Sequence, residues 1–340
     1  MSHSKRRLRA ISSIVGSAAV LGLGLAGCSS GAGNGDAGNS GTGEAEGISI
    51  IYSVDKLDEN QNRYIQYMQD HVDALNAEGK NITFETLDAN GSVDKQISDV
   101  QTALIKEPDA IIFSAVDSVG SLPAVQAAKD AGVKTIDFRP SDPEPPQYDV
   151  AFGASEDAYA EQTTTWLQGL LDEDPSLHLN IGLIYGAAAQ TPQLVREDAI
   201  KAFAEEQPDR VTIVGEQFGN WQTDIAQNTT TDWLQSQPEI NLVSAANDAM
   251  ALGAANALTA AGARDRVLVS AYDINEASLD NVKKGVIDFT TGVLAPDYGQ
   301  IIDVAVDLVE GTFTDKVYSV EPVYAVTIDN VDDVTAKLNG

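Results

Sequence analysis

The chain has 340 residues, with 51 Asp or Glu against 21 Lys or Arg and a formal net charge of −30 at pH 7. That charge argues against nucleic acid or an anionic membrane surface as a partner, because both repel an acidic protein. The chain has one cysteine, which excludes an internal disulfide and a thiolate metal cluster.

Residues 1–27 have the pattern of an export signal. Four Lys or Arg in the first nine residues precede an apolar stretch from Ile11 to Leu25, which is short for a membrane span of about 20 apolar residues. The stretch ends at Leu25-Ala26-Gly27-Cys28, which resembles the lipobox of bacterial lipoproteins and implies diacylglycerol on Cys28. The alternative is an uncleaved membrane anchor with an incidental cysteine.

Residues 28–47 are rich in Gly, Ser, Ala and Asn and have no hydrophobic periodicity. Such a segment cannot bury enough apolar surface to order itself, so we predict a flexible tether. The remaining residues, 48–340, are enough for two domains of ordinary size. We therefore predict a folded body outside the cytoplasm, anchored to the cell membrane through its lipid.

Short apolar runs rich in β-branched residues alternate with longer amphipathic stretches along the body. The runs predict strands at Ile48–Ser53, Ile82–Leu87, Ala110–Ala115, Val133–Phe138, Leu179–Tyr185, Val211–Glu216, Asn241–Ala245, Val267–Tyr272 and Ile287–Leu294. The stretches predict helices at Asn62–Ala77, Ser92–Lys106, Leu122–Ala131, Ala158–Leu171, Val195–Glu206, Asp224–Ser236, Ala249–Ala261 and Tyr298–Glu310. This alternation predicts an α/β fold with parallel sheets and helices on both faces.

The alternation restarts near residues 151–155, after a proline-rich run at 140–146. The restart predicts a second lobe. In doubly wound sheets the carboxyl ends of the strands border a crevice in which ligands bind. We therefore expect the functional site between the two lobes.

Sequence motifs for catalysis are absent. His71 and His178 lack an acidic or cysteine partner pattern, and residues 48–340 contain no Gly-x-Ser-x-Gly, Gly-x4-Gly-Lys-Ser/Thr or Gly-x-Gly-x-x-Gly motif. Asp58 begins a pattern like that of a calcium loop, but Arg63 and Gln69 replace its glycine and its closing glutamate. We expect a binding protein without a metal or cofactor rather than an enzyme.

The segment Ala245-Ala246-Asn247-Asp248-Ala249-Met250-Ala251-Leu252-Gly253-Ala254 follows a predicted strand and opens a predicted helix. It resembles the Asn-Asp-x-Met-Ala-x-Gly-Ala signature of the periplasmic sugar-binding proteins for ribose, galactose and xylose. Shorter matches extend the resemblance from residue 48 to about residue 328: Pro108–Ile112, Asp117-Ser118, Ala131–Val133, Ser270–Asp273 and Pro296-Asp297. LacI-type repressors share this domain pair, but they carry a DNA-binding helix-turn-helix where this chain has an export signal.

The resemblance implies a type I periplasmic-binding fold of two Rossmann-like lobes. It places residues 48–152 and 296–325 in the N-terminal lobe and residues 153–295 and 326–340 in the C-terminal lobe, with crossings near Phe152, Ala295 and Ala325. It also implies a monomer that captures a monosaccharide or polyol by closing its lobes. The implied partners are the permease and ATPase subunits of an ABC importer.

Residue by residue, the resemblance implies ligand contacts from Asn247, Asp273, Arg196 and Trp221, with Ser114 at the end of the third strand. Carboxylates, amides and guanidinium suit the hydroxyl edges of a sugar, and an indole suits its C–H face. Other roles remain open. Asn247 and Asp273 could cap the helices that follow, Trp221 could belong to the core, and Arg196 could form a surface ion pair.

The first-lobe half of the site departs from the family pattern. Arg139 stands where the family usually has an aspartate, Leu294-Ala295 replaces a Gln or Asn, and the loop from Asp55 through Asp58 lacks the Asn-Pro-Phe-Phe of ribose binders. We count Arg139 and Asp58 as further candidate contacts. Two arginines in a cleft require an anion. It is either a carboxylate of the protein (Asp137, Asp142 or Asp58) or an acidic ligand, and we favour the former with a neutral ligand.

Two other functions remain open from the sequence. A sensory lipoprotein that presents a bound sugar or autoinducer to a receptor would use the same fold. The second is a hydrolase that uses paired carboxylates in the cleft, and it would be excluded if the protein did not turn over candidate sugars.

Overall fold

The computed structural model describes residues 47–138, 147–190 and 194–339. Within these ranges the strands are β1 Ile48–Val54, β2 Ile82–Asp88, β3 Ala110–Phe113, β4 Lys134–Phe138, β5 Val150–Gly153, β6 Leu179–Tyr185, β7 Val211–Phe218, β8 Leu242–Ala245, β9 Leu268–Ile274, β10 Phe289–Leu294, β11 Val317–Ser319 and β12 Tyr324–Val326. The predicted signal, Cys28 and nearly all of the predicted tether lie outside the described residues.

The α-helices in the same ranges are α1 Glu59–Ala77, α2 Val93–Ala103, α3 Leu122–Asp130, α4 Glu156–Glu173, α5 Val195–Glu206, α6 Thr223–Ser236, α7 Asp248–Ala260, α8 Glu276–Lys283, α9 Ile301–Glu310 and α10 Val331–Leu338. Short 3-10 helices cover Leu104–Lys106 and Ala295–Gln300. Among the described residues, no helix combines the length and apolar character needed to cross a membrane.

Every predicted strand and helix is present, with ends that shift by a few residues. Helix α1 begins at Glu59 rather than Asn62, because Oδ1 of Asp58 accepts a hydrogen bond from the Gln61 amide and caps the first turn. The short strands β5, β11 and β12 and the eight-residue helices α8 and α10 were not predicted. Runs of three or four residues are too short to show a periodic pattern.

The strands form two six-stranded sheets. The first has the order β11-β5-β4-β3-β1-β2 and the second the order β12-β10-β9-β8-β6-β7. The pairings are parallel except for that of β10 with β12. This arrangement confirms the predicted α/β fold of two lobes.

Three passages of the chain connect the sheets. The chain leaves the first sheet after β5, returns after β10 through the 3-10 helix Ala295–Gln300 into α9, and crosses again between β11 and β12. We call the first sheet and its helices α1, α2, α3 and α9 the first lobe, and the second sheet with the other helices the second lobe.

Each sheet is buried on both faces. Along β1, the side chains of Ile50 and Tyr52 pack with α1 and α9, whereas Ile51 packs with α2 and α3 on the opposite face. This alternation is the two-residue period of a strand, and each such buried side chain contributes about 1.5–3 kcal/mol. Helices on both faces leave the carboxyl ends of the strands as the place where polar side chains gather.

Candidate ligand-binding site

A small cavity lies between the lobes where the carboxyl ends of the two sheets face each other. It has a volume of about 20 Å³ and is lined by Asp55, Asp58, Asn60, Gln61, Gln190, Trp221, Asn247 and Asp273. Four of these residues (Asp55, Asp58, Gln190 and Trp221) also line a neighbouring pocket of about 350 Å³. The inner cavity has room for about one water molecule, so a monosaccharide would need the lobes to separate slightly.

Asn247 both caps a helix and faces the cavity. It follows β8, and its Oδ1 accepts a hydrogen bond from the Met250 amide at 2.9 Å, which caps α7. The side chain is nearly buried but lines the inner cavity. Because the cap occupies Oδ1, the amide group Nδ2 remains the donor that Asn247 can offer to a ligand.

Asp273 reaches the cavity from β9 through an unusual backbone conformation. Its φ is +82°, in the left-handed region that non-glycine residues rarely adopt. The side chain lines the cavity and accepts a long hydrogen bond of 3.5 Å from Nδ2 of Asn60 in the first lobe. Asn275, not Asp273, caps α8, with a 3.0 Å bond from the Ser278 amide to its Oδ1.

Asp248, the carboxylate that the strand-end Asn-Asp pair predicted at the crevice, is buried beside Asp273. It accepts hydrogen bonds from Asn275 Nδ2 at 2.8 Å and from Asn60 Nδ2 at 3.1 Å, and Arg63 Nη1 lies 3.5 Å away. Burial, followed by the charge of Asp273, raises the pKa of Asp248, and the three donors oppose that rise. Asp248 therefore holds two residues of the first lobe against the second.

Arg196 lies behind the cavity rather than in its lining. It is about 1% exposed, and its Nε and Nη2 donate to the two carboxylate oxygens of Glu156 at 2.6 and 3.0 Å. Its Nη1 donates to the Ala246 carbonyl at 2.7 Å, immediately before Asn247. Burial alone would lower its pKa, but the charge and hydrogen bonds of Glu156 raise the pKa of Arg196 well above the ordinary value. The ion pair is therefore buried, not a surface pair.

The guanidinium of Arg196 is also enclosed by two aromatic rings. Its central carbon lies 5.2 Å from the centroid of Tyr159 and 4.9 Å from that of Tyr272. Desolvated cation–π contacts of this kind contribute about 2 kcal/mol. The fixed guanidinium holds the backbone that carries Asn247 into the cleft.

Trp221 forms one wall of both the cavity and the neighbouring pocket. Its ring packs on Gly186, where a Cβ atom would lie 2.0 Å from Cζ2 of the indole. Its Nε1 donates to Oε1 of Gln190 at 2.6 Å. The indole is partly buried and packs at the edge of the second-lobe core. Trp221 therefore both contacts the core and lines the cavity.

The first-lobe side of the cavity consists of the loop after β1 and the start of α1. Asp55 accepts from Gln61 Nε2 at 2.9 Å and from Ser114 Oγ at 3.0 Å. Asp58 faces the cavity while it caps α1. Ser114 does not line the cavity and instead supports Asp55, so its side chain lies one contact away from the ligand space.

Some predicted features fall outside the described residues or take no part in the cavity. Arg139 and Asp142 lie outside the described ranges, and Asp137 is fully buried on β4. Leu294-Ala295 marks the return of the chain to the first lobe. Within the described ranges, no group of three or more His, Cys, Asp or Glu could hold a metal ion.

Direct hydrogen bonds join the lobes on two sides of the cavity. On one side Asn60 bonds Asp248 at 3.1 Å. On the other, Gln190 Nε2 donates to Asp55 at 3.0 Å and to the Ala115 carbonyl at 3.1 Å. The Ser118 amide also donates to the Ala189 carbonyl at 3.0 Å. The lobes are therefore closed on each other in this structure.

Asn60, Gln61 and Gln190 were not among the predicted site residues, whereas the strand-end Asn-Asp predicted an amide and a carboxylate at the crevice. Asp248 stands within the Asn-Asp signature itself, and Asn60 and Gln61 lie in the first turn of α1, so their positions carried a signal. Gln190 follows β6 on an irregular loop, where no pattern indicates side-chain direction. Its contacts depend on the approach of the opposite lobe.

Known proteins resemble this chain over most of its length. A putative rhizopine-binding protein of Rhizobium meliloti is 30% identical over 279 residues, 79% of this chain and 86% of that protein. A xylitol-binding protein of Mycolicibacterium smegmatis is 30% identical over 328 residues, 94% of this chain and 86% of that protein. A solved ABC transporter solute-binding protein of Bacillus halodurans with bound myo-inositol is 28% identical, with a TM-score of 0.77 over 87% of this chain and 100% of the other.

The family assignment agrees with the expectation of a binding protein rather than an enzyme. The family model described as the periplasmic binding protein domain matches residues 57–312, a span that includes strands β2 to β10 and all of the cavity-lining residues except Asp55. This chain belongs to the periplasmic binding protein domain family.

Proposed function

We propose that the protein is an extracytoplasmic solute-binding protein that captures a neutral monosaccharide or polyol and delivers it to an ABC importer. The observation that carries this proposal is the lining of the cavity between the lobes. Carboxylates and amides surround it, Trp221 provides one apolar wall, and none of its described lining residues is Lys or Arg. Paired hydroxyls satisfy such oxygens and amides, and the C–H face of a ring packs on an indole.

The charge distribution favours an uncharged ligand over an acidic one. The charge of Arg196 is matched by Glu156 within the second lobe, so it does not require an anionic ligand. Asp55, Asp58 and Asp273 all face the cavity and would repel an anion. Burying an anion without a compensating cation costs several kcal/mol.

The relatives support a polyol or sugar and an importer. Two of them are named for rhizopine and xylitol, and the solved protein from an ABC transporter holds myo-inositol. A monomer that closes on its ligand would present that closed shape to permease and ATPase subunits. These partners, and the monomeric state, are parts of the proposal.

The proposal includes a lipid anchor at Cys28. The basic start, the apolar stretch and Leu25-Ala26-Gly27-Cys28 support it, together with the tether that follows. Mass spectrometry of the protein from membranes should find a diacylglyceryl group on Cys28. An unmodified Cys28 would leave the binding function intact and remove the anchor.

Calorimetry against pentoses, hexoses, polyols and sugar acids tests the binding function. We expect a neutral compound to bind and Asp273→Asn to weaken its binding about tenfold or more, because one of the two carboxylate oxygens is replaced by an NH2 group, which cannot accept from a hydroxyl. Asparagine tolerates the positive φ of this position, so the unfolding midpoint should change little. Tight, strongly salt-dependent binding of a sugar acid, with no binding of its neutral parent, would contradict the proposal.

A further inference from the structure

Gln190 makes three hydrogen bonds, two to the first lobe and one within its own lobe. Its Nε2 donates to Oδ2 of Asp55 at 3.0 Å and to the carbonyl of Ala115 at 3.1 Å, both in the first lobe. Its Oε1 accepts from Nε1 of Trp221 at 2.6 Å in its own lobe. The side chain is about 7% exposed and lines the cavity.

These contacts use the whole donor capacity of the amide. Both Nε2 protons point across the cleft, one to a carboxylate and one to a backbone carbonyl, while Oε1 accepts from the indole. A hydrogen bond to a charged group contributes more than one between neutral groups. Gln190 therefore couples the orientation of the indole to the presence of the opposite lobe.

We propose that Gln190 is the positioning residue of this site, which locks the Trp221 ring against the ligand's C–H face only when the lobes are closed. The inference rests on the proposed binding function. Gly186 packs against the six-membered part of the ring, and Gln190 accepts from its Nε1. A ring held at both places offers a fixed flat surface, which suits a cyclic polyol better than an open-chain one.

The chemistry of the contacts requires an amide at this position. A glutamate would keep an acceptor for Trp221 but would place a second carboxylate against Asp55 and an oxygen against the Ala115 carbonyl. A methionine would have similar length but would leave Asp55, Ala115 and Trp221 each without this bond. The two substitutions therefore remove different parts of the same coupling.

The first test compares Gln190→Glu with the wild type by calorimetry from about pH 5 to pH 8. In the closed form the new carboxyl would face Asp55, with Asp58 and Lys56 also lining the neighbouring pocket. Like charge raises the pKa of the pair, so closure takes up a proton. We expect affinity about ten- to a hundredfold below wild type at pH 8, with recovery as the pH falls.

Gln168→Glu is a matched control. Gln168 also donates from Nε2 to an aspartate, Asp172, at 2.7 Å and accepts from Gln207 at 2.8 Å, but all three residues lie on the second lobe. The Gln168→Glu variant should bind the ligand with the same affinity and pH dependence as the wild type. The wild-type profile itself measures the contribution of the native carboxylates.

The second test is a double-mutant cycle of Gln190→Met and Trp221→Phe. Phenylalanine keeps an apolar face but cannot donate to Gln190, so the two losses in affinity should be clearly less than additive. Additive losses, or Gln190 variants that bind like the wild type at every pH, would overturn the inference and leave the proposed function standing. A wild-type protein that binds no sugar or polyol would overturn both.

Discussion

The two lobes build their halves of the cleft in different ways. The second lobe holds its half from behind, with the buried Arg196–Glu156 pair supporting the backbone before Asn247. The first lobe contributes the loop after β1 and the first turn of α1, where Asp55 is held by neutral donors and Asp58 by a helix amide.

This difference separates a preformed half from one that is completed by closure. The charges behind Asn247 are balanced within the second lobe and shielded from water, which keeps the side chains in one geometry. Asp55, by contrast, receives one of its hydrogen bonds from Gln190 across the cleft. We therefore expect damage to the second lobe to lower stability and binding together, and changes at the lobe contact to affect mainly binding.

Glu156→Gln should break the preformed half and have the largest effect. The substitution leaves the guanidinium of Arg196, about 1% exposed, without its carboxylate. Removal of one member of a buried ion pair costs about 3–5 kcal/mol. Urea unfolding should show this loss in the free energy of unfolding, and calorimetry should show weaker ligand binding.

Glu161→Gln is the control for that substitution, since Glu161 is exposed on the same helix and the change should cost less than about 0.5 kcal/mol. If the Glu156→Gln variant were as stable as this control, the second-lobe half of the cleft would not depend on the Arg196–Glu156 ion pair for its stability.

Glu197→Gln tests the second-lobe half of the cleft at another carboxyl, whose hydrogen-bonding capacity is not satisfied. Both its oxygens are buried, and neither has a hydrogen-bond partner among the residues that the structure describes. Burial, with a further contribution from Glu156, raises the pKa of Glu197 well above its ordinary value, although Arg196 opposes the shift. The folded state therefore binds this proton more tightly than the unfolded state does.

The pKa of Glu197 is higher in the folded protein than in the unfolded chain, where it is about 4.3. The wild-type protein should therefore lose stability as the pH rises from the unfolded pKa through the folded pKa. The amide of Glu197→Gln does not titrate. Near pH 4 the variant and the wild type should have the same free energy of unfolding. At pH 8 that of the variant should be higher by about 1.4 kcal/mol for each unit by which folding raises the pKa of Glu197. Urea unfolding at both pH values measures this difference, and an equal difference at the two values would contradict the raised pKa.

Gly186→Ala should have the smallest effect, confined to the indole wall. The added Cβ would lie 2.0 Å from the Trp221 ring, so the ring must move away. Loss of a fixed stacking surface should weaken binding by about 0.5–1.5 kcal/mol, or roughly two- to tenfold. Calorimetry measures this loss with a neutral sugar or polyol that binds the wild type.

Gly169→Ala serves as the control, because a Cβ at this position in α4 meets no atom within 4 Å. It should leave binding unchanged and stabilise the helix by about 0.5–1 kcal/mol. If the two alanine variants bound equally well, the position of Trp221 would not matter for the ligand.

The sequence alone was enough to predict the alternating elements, the two lobes and the cleft, since burial on both faces and helix ends at glycine are local patterns. Gly79, Gly132, Gly262 and Gly311 all have positive φ where helix ends were predicted. The resemblance also directed attention to Asn247, Asp273 and Trp221, which line the cavity. Their positions follow from strand ends, which the sequence pattern reveals.

Only the tertiary structure decided what each polar side chain faces. It placed Arg196 behind the cavity with Glu156, a residue 40 positions away, and it brought Gln190 against Asp55 across 135 positions. It also put Asp248 between Asn275 and Asn60 of the opposite lobe. Such contacts form between segments distant in the chain, and no local periodicity encodes them, because each depends on how two separately folded sheets meet.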